Sequence, residues 1–188
     1  MIIEERVINH PGEGRTESLN RTGFLDRSHR SLLYVGAWEG SIERGNLPYL
    51  IDVGFTEVTI LEIWEQNCKD IQLILPETKV IQGDIREFSM KSPAKYDVVV
   101  WWHGPEHVKQ VELPALFDQM FEITGSTLIL GCPYGNYPKG VALGNPFEEH
   151  ISALEPEFFN NLGFNTDSLL LCDGSVIGSH ITAWKSTR

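Results

Sequence analysis

A chain of 188 residues with 41% hydrophobic and 22% charged residues has the length and balance of one globular domain with a sizeable core. Its net charge of −11 gives a surface that repels phosphate backbones and disfavours nucleic acid as a partner. No apolar run approaches the length of a membrane helix, and the opening Met1-Ile2-Ile3-Glu4-Glu5 lacks the basic-then-apolar order of a signal peptide.

Residues 1–30 read as a polar lead-in segment, broken by His10-Pro11-Gly12 and Gly14. It holds one short helix over Thr16–Arg27 that buries Leu19, Phe24 and Leu25, as a surface arm on the sheet edge. Residues 31–188 read as a single α/β domain. Its first strand starts at Ser31 and runs into Gly36. A crossover helix over Ser41–Phe55 follows, interrupted by Gly45 and Pro48. The second strand is Glu57–Glu62. Trp64, Cys68, Ile71 and Leu75 then recur at helical spacing as one buried face, stopped by Pro76. The third strand is Thr78–Gln82, residues 90–95 are a turn, and Tyr96–Trp102 is apolar enough to be central. Leu113, Leu116, Phe117, Met120 and Phe121 mark the next helix, and Ser126–Leu130 the fifth strand. Residues 131–150, rich in glycine and proline, read as a long functional loop. A short helix over Pro156–Leu162 precedes two strands, 169–172 and 180–184, flanking the turn at Asp173-Gly174. The sum is a doubly wound, mostly parallel seven-stranded sheet with helices on both faces and a C-terminal antiparallel hairpin. The three cysteines, Cys68, Cys132 and Cys172, are widely spaced, which fits a reducing cytoplasm and gives no zinc pattern.

In such a sheet the carboxyl ends of the strands form the ligand crevice. The first offers Gly36 and Gly40, the second Glu62, the third Asp84. A glycine turn followed about twenty residues on by an acid at the next strand tip is the physical pattern of nucleotide recognition, the carboxylate accepting ribose hydroxyls. Ile63 and Trp64 follow Glu62 and are placed to pack on a base, although Trp64 also fits the buried helix face.

The same residues carry a family resemblance. Leu33-Tyr34-Val35-Gly36-Ala37-Trp38-Glu39-Gly40, Leu61-Glu62, Gly83-Asp84-Ile85, and Tyr96-Asp97-Val98-Val99-Val100 running into Glu106-His107-Val108 resemble, in order, four motifs of class I S-adenosylmethionine-dependent methyltransferases. The first motif departs from the pattern, with Tyr34 where the family carries an acid and Trp38 where it carries a second glycine. The resemblance implies S-adenosylmethionine as cofactor, with Gly36, Ala37 and Gly40 in the turn that holds it, Glu62 at its ribose, Ile63 packed on its adenine, and Asp84 and Ile85 also at the adenine. It places His103 where cofactor and acceptor meet and residues 131–150 on the acceptor side, and it gives the lead-in segment, beside its reading as a surface arm, the role of covering the cofactor or shaping the substrate site. A small or medium-sized acceptor would be methylated by direct displacement, so positioning does most of the catalysis. His103, Glu106, His107 and His150 are the candidates for a general base. Tyr134, Tyr137 and Phe147 are candidate walls of the acceptor pocket. His103, His107 and His150 are not read as metal ligands, because Gly104-Pro105 breaks the helix that the four-residue spacing requires. Two alternatives stand beside this reading: a catalytically inactive binding module on the same fold, and a nicotinamide-dependent oxidoreductase, which the missing Gly-x-Gly-x-x-Gly spacing disfavours.

Overall fold

Strands that are apolar on both faces must be covered on both faces, and the chain does this by winding helices to either side of one sheet. The computed structural model describes residues 1–24, 29–38, 46–91, 95–141 and 144–187. The strands are β1 (Ile3–Ile8), β2 (Ser31–Val35), β3 (Glu57–Glu62), β4 (Lys79–Gln82), β5 (Tyr96–Trp102), β6 (Thr124–Pro133), β7 (Asn165–Leu171) and β8 (His180–Ser186). The helices among the described residues are α1 (Arg15–Asn20), α2 (Asn46–Asp52), α3 (Glu65–Ile74), α4 (Ile85–Lys91), α5 (Leu113–Glu122) and α6 (Pro156–Asn161). The sheet order is β1-β7-β8-β6-β5-β2-β3-β4, and only β8 runs antiparallel to its neighbours.

Side-chain alternation splits the core in two. Leu33, Val35, Val99 and Trp101 point to the face covered by α4, α5 and α6 through Ile85, Phe117 and Phe159. Leu32, Tyr34, Val98 and Val100 point to the face covered by α1, α2 and α3 through Leu19, Leu50 and Ile71. Both faces of β2 and β5 are therefore buried, which leaves only their ends for a ligand. None of the described helices is long and apolar enough to cross a membrane.

The seven strands expected from the sequence are present, and the terminal antiparallel pair is β7–β8. Three features differ. An eighth strand, β1, lies in the lead-in segment and pairs in parallel with β7. Strand β6 extends through Pro133, so residues 131–133 belong to the sheet and not to the long loop. Helix α4 occupies Ile85–Lys91, so Met90 and Lys91 of the expected turn are helical, and residues 92–94 of that turn lie outside the described residues. Of the proposed buried face of α3, only Ile71 is fully covered, because α3 flanks the short outer strands β3 and β4 and leaves Trp64, Cys68 and Leu75 half-buried. Leu25, Arg27 and the start of the first crossover, residues 41–45, lie outside the described residues, whereas Leu19 and Phe24 are buried as expected.

Arg6 anchors β1. Its guanidinium holds both oxygens of Asp167 on β7, Nε to Oδ1 at 3.1 Å and Nη2 to Oδ2 at 2.5 Å. It also meets Glu17 of α1 at 2.8 Å. The Asp167 side chain is fully buried, so its charge depends on this fork. Arg6→Ala should lower the unfolding free energy by about 3 kcal/mol, the scale of a buried carboxylate left without its partner. Urea denaturation of the variant checks this; an unchanged midpoint would contradict it.

Candidate active site

The strand order reverses at β2, which pairs with β3 on one side and β5 on the other. Crossovers diverge at such a point and leave a crevice above the carboxyl ends of the strands. A cleft of about 670 Å³ opens there, lined by the ends of β2, β3 and β5, the first residues of α4 and the loop between β6 and α6. Its floor is fixed by backbone bonds between strand tips. The Gly36 amide donates to the Leu61 carbonyl at 2.9 Å, and the Gly83 amide to the Glu62 carbonyl at 2.9 Å. Gly36 has φ 75, a left-handed turn that a side chain at this position would strain.

Glu62 ends β3 with only 4% of its surface exposed. Its Oε1 accepts the Trp64 amide at 2.9 Å and Asn67 Nδ2 at 3.3 Å. Burial pushes its pKa up to about 7, against the opposing pull of the Trp64, Asn67 and Ala37 donors. Asn67 is a site residue that the sequence reading missed; its only signal was an amide in the first turn of the helix that follows the acid. Asp84 is positioned differently. Its Oδ1 accepts the Arg86 backbone amide at 2.8 Å, a bond that opens α4, and both oxygens receive Arg86 Nε, at 3.0 and 2.9 Å. Burial raises the Asp84 pKa, but the Arg86 bonds outweigh it and hold the carboxyl below its ordinary value. Ile85 beside it is buried in the core while also lining the cleft.

The far corner is built where β5 ends. The Trp101 indole lies directly on Gly104: a Cβ there would sit 1.6 Å from its Nε1. That close approach turns the chain sharply, with His103 at φ 53, into a single 3-10 turn over Pro105–His107. The turn buries the Glu106 side chain to 3% exposure and leaves the His103 side chain 40% exposed. Three imidazoles surround Glu106 Oε1: His103 Nδ1 at 3.3 Å, His107 Nε2 at 3.9 Å and His150 Nε2 at 3.9 Å. Burial opposes the Glu106 charge, yet the His103 hydrogen bond and the fields of His103 and His107 hold its pKa below the ordinary value. Burial lowers the His150 pKa more than its bond to the Tyr137 carbonyl raises it.

The cleft thus brings together Gly36, Ala37, Glu62, Ile63, Asp84, Ile85, His103, Glu106, His107 and His150; Gly40 lies outside the described residues. Tyr137 and Phe147 line it as expected, but Tyr134 packs against the core beside α6 instead. Trp38 lines the rim at 50% exposure and does not close the cleft. Tyr34 is 1% exposed within the core, so no polar group at that position reaches the cleft. Arg86 and the Lys139–Glu148 ion pair also line it and were not anticipated.

No family model and no curated protein matches the sequence. Solved structures do match in shape. A SAM-dependent methyltransferase from Archaeoglobus fulgidus superposes with TM-score 0.62 at 16% identity, over 90% of this chain and 91% of that one. Magnesium protoporphyrin IX methyltransferase from Synechocystis, with bound SAM, gives 0.57 at 14% identity, over 92% and 79%. A protein titled as a putative Zn-dependent alcohol dehydrogenase from Rhodobacter sphaeroides gives 0.63 at 13%, over 96% and 92%. At these identities the likeness is one of fold: the chain has the class I methyltransferase fold, a mostly parallel sheet closed by an antiparallel hairpin.

The raised pKa of Glu62 has a sign that can be tested. With the folded value about 7 and the ordinary one 4.5, the folded state holds the proton more tightly between those limits. This contribution to stability is fully present below pH 4.5 and is lost as pH rises through 7. Glu62→Gln keeps an acceptor for Trp64 and removes the charge. It should stabilise the ligand-free protein by about 1–3 kcal/mol at pH 8, with the gain shrinking towards pH 5. Urea unfolding at both pH values measures it; a destabilised variant at pH 8 would contradict the assignment.

Proposed function

We propose that the protein is an S-adenosylmethionine-dependent methyltransferase acting on a small or medium-sized acceptor. The observation that carries this reading is Glu62, a carboxylate buried at the tip of β3, beside a left-handed glycine turn and facing an open cleft. Burial makes such a charge costly, the donors from Trp64, Asn67 and Ala37 offset only part of that cost, and a pair of ribose hydroxyls would supply two more. The residues fit the cofactor. Gly36 and Ala37 keep the β2 turn free of bulk, the backbone beside Ile85 borders the space for an adenine ring, and the cleft volume suits a ligand of this size. When bound, the cofactor supplies an electrophilic methyl carbon on a sulfonium.

This chain's residues would do the rest. Glu62 holds the ribose and so fixes the direction in which the methyl points. Asp84, with its oxygens held by Arg86, orders the β4–α4 turn at the adenine end. At the other end His103 is exposed enough to accept a proton from the acceptor, and its Nδ1 faces the Glu106 carboxylate. Tyr137 and Phe147 flank that corner as acceptor walls. A second reading, a module that binds without transfer, draws on Tyr34 and Trp38. It is weakened by the half-exposed position of Trp38 on the rim, which leaves the cleft unfilled.

Calorimetric titration tests the function directly. S-adenosylmethionine and S-adenosylhomocysteine should bind with micromolar affinity, about −8 kcal/mol. Glu62→Ala should weaken both about a hundredfold or more while the circular dichroism spectrum is unchanged. A variant that folds and keeps wild-type affinity would overturn the assignment.

A further inference from the structure

We propose that Glu106, His107 and His150 form a binding site for a divalent transition-metal ion of the Zn²⁺ class, with a coordination position open to the cleft. Their ligand atoms lie within 4.8 Å of one another, and all three residues line the cleft. The inference rests on side-chain geometry and not on the cofactor reading.

The hydrogen bonds of the two imidazoles fix their protonation pattern. His107 Nδ1 lies 3.0 Å from the Glu149 carbonyl, and His150 Nδ1 lies 2.7 Å from the Tyr137 carbonyl. A carbonyl only accepts, so each Nδ1 carries a hydrogen and each ring turns its Nε2 inward, the nitrogen that would bind a metal. Both Nε2 atoms face Glu106 Oε1 at 3.9 Å, beyond hydrogen-bond reach. The other carboxylate oxygen, Oε2, is buried and has no hydrogen-bond partner among the described residues. Two ring nitrogens and a carboxylate oxygen converge there, and a cation bound between them would offset the carboxylate charge and take both nitrogens as ligands. A tetrahedral zinc ion with bonds near 2.0–2.1 Å sets its ligand atoms about 3.3–3.4 Å apart, so each 3.9 Å nitrogen–oxygen pair closes by about half an ångström and side-chain rotation draws the two rings together around the ion.

Both imidazoles also carry the backing expected of metal ligands, in which the second ring nitrogen donates to a carbonyl and so fixes the ring's orientation. The two halves of the site are held together by the main chain. The Ile151 and Ser152 amides both donate to the Glu106 carbonyl, at 2.9 and 3.1 Å, which docks the loop carrying His150 onto the turn carrying Glu106 and His107. Two histidines and one glutamate are the ligand set of zinc sites that keep a further position for water or substrate.

The test uses tag-free, chelator-treated full-length protein. Zn²⁺ is titrated by calorimetry and Co²⁺ by its visible d–d absorption. One equivalent of each should bind, and cobalt should give the intense bands of a four- or five-coordinate site. His107→Ala and His150→Ala should each weaken Zn²⁺ binding about a hundredfold or more. Glu106→Gln, which preserves shape, should also weaken it, whereas Cys172→Ser at an exposed thiol should not. No stoichiometric binding of either ion, or binding that survives both histidine substitutions in folded protein, would overturn the proposal. Cofactor affinity is measured separately, so failure of one reading leaves the other standing.

Discussion

A carboxylate held out of water at the end of a buried strand is the constraint on which the site depends. Glu62 cannot move away: β3 lies between β2 and β4, and its carbonyl is tied to the Gly83 amide. Burial makes its charge costly, and the donors from Trp64 and Asn67 offset only part of that cost. The fold therefore keeps at this point a group that gains from a ligand with hydroxyl donors. Function and stability pull against each other at one residue, as they do where sites are kept ready for ligands.

The opposite wall follows from a different constraint. β5 ends in two tryptophans whose bulk must be placed, and Gly104 lets the Trp101 indole lie against the main chain. The resulting sharp turn aims Glu106 inward and leaves the His103 side chain at the surface of the cleft. The chain around Ile151 and Ser152 then docks on this turn, bringing His150 to Glu106. A segment with no regular periodicity is thus fixed in place by a few main-chain bonds, and these bonds assemble the three-histidine corner.

Much of this was legible in sequence because strands buried on both faces read as unbroken apolar runs. Glu57–Glu62 and Tyr96–Trp102 have the bounds the pattern gave them. β1 escaped because its alternation of Ile3, Glu5 and Val7 with Glu4 and Arg6 leaves apolar residues exposed, so it carries no core signal; its pairing rests on the distant Asp167. α4 escaped because it is short and presents only Ile85, Phe88 and Ser89 inward. Glu62 was readable from its place at a strand tip, and Asn67 was not, because its role needs the turn of α3. The histidine spacing pointed to His103 with His107, and the break at Gly104-Pro105 argued against a helical pair. The structure instead joins His107 to His150 across 43 residues of chain, a juxtaposition that only the docked loop creates. Tyr134 was misplaced for a related reason: it follows β6 directly and continues into the core.

The central claim is that a ligand's hydroxyl donors recover the charge of Glu62. The measurement closest to it is calorimetric binding of S-adenosylhomocysteine at pH 6.5, in two buffers with different ionisation enthalpies. With the free-protein pKa about 7, most of the Glu62 carboxyls carry a proton at this pH. Binding should release a large fraction of one proton to the buffer, and that release should vanish in Glu62→Gln. Tight binding with no proton release, or an identical release in the variant, would contradict the account.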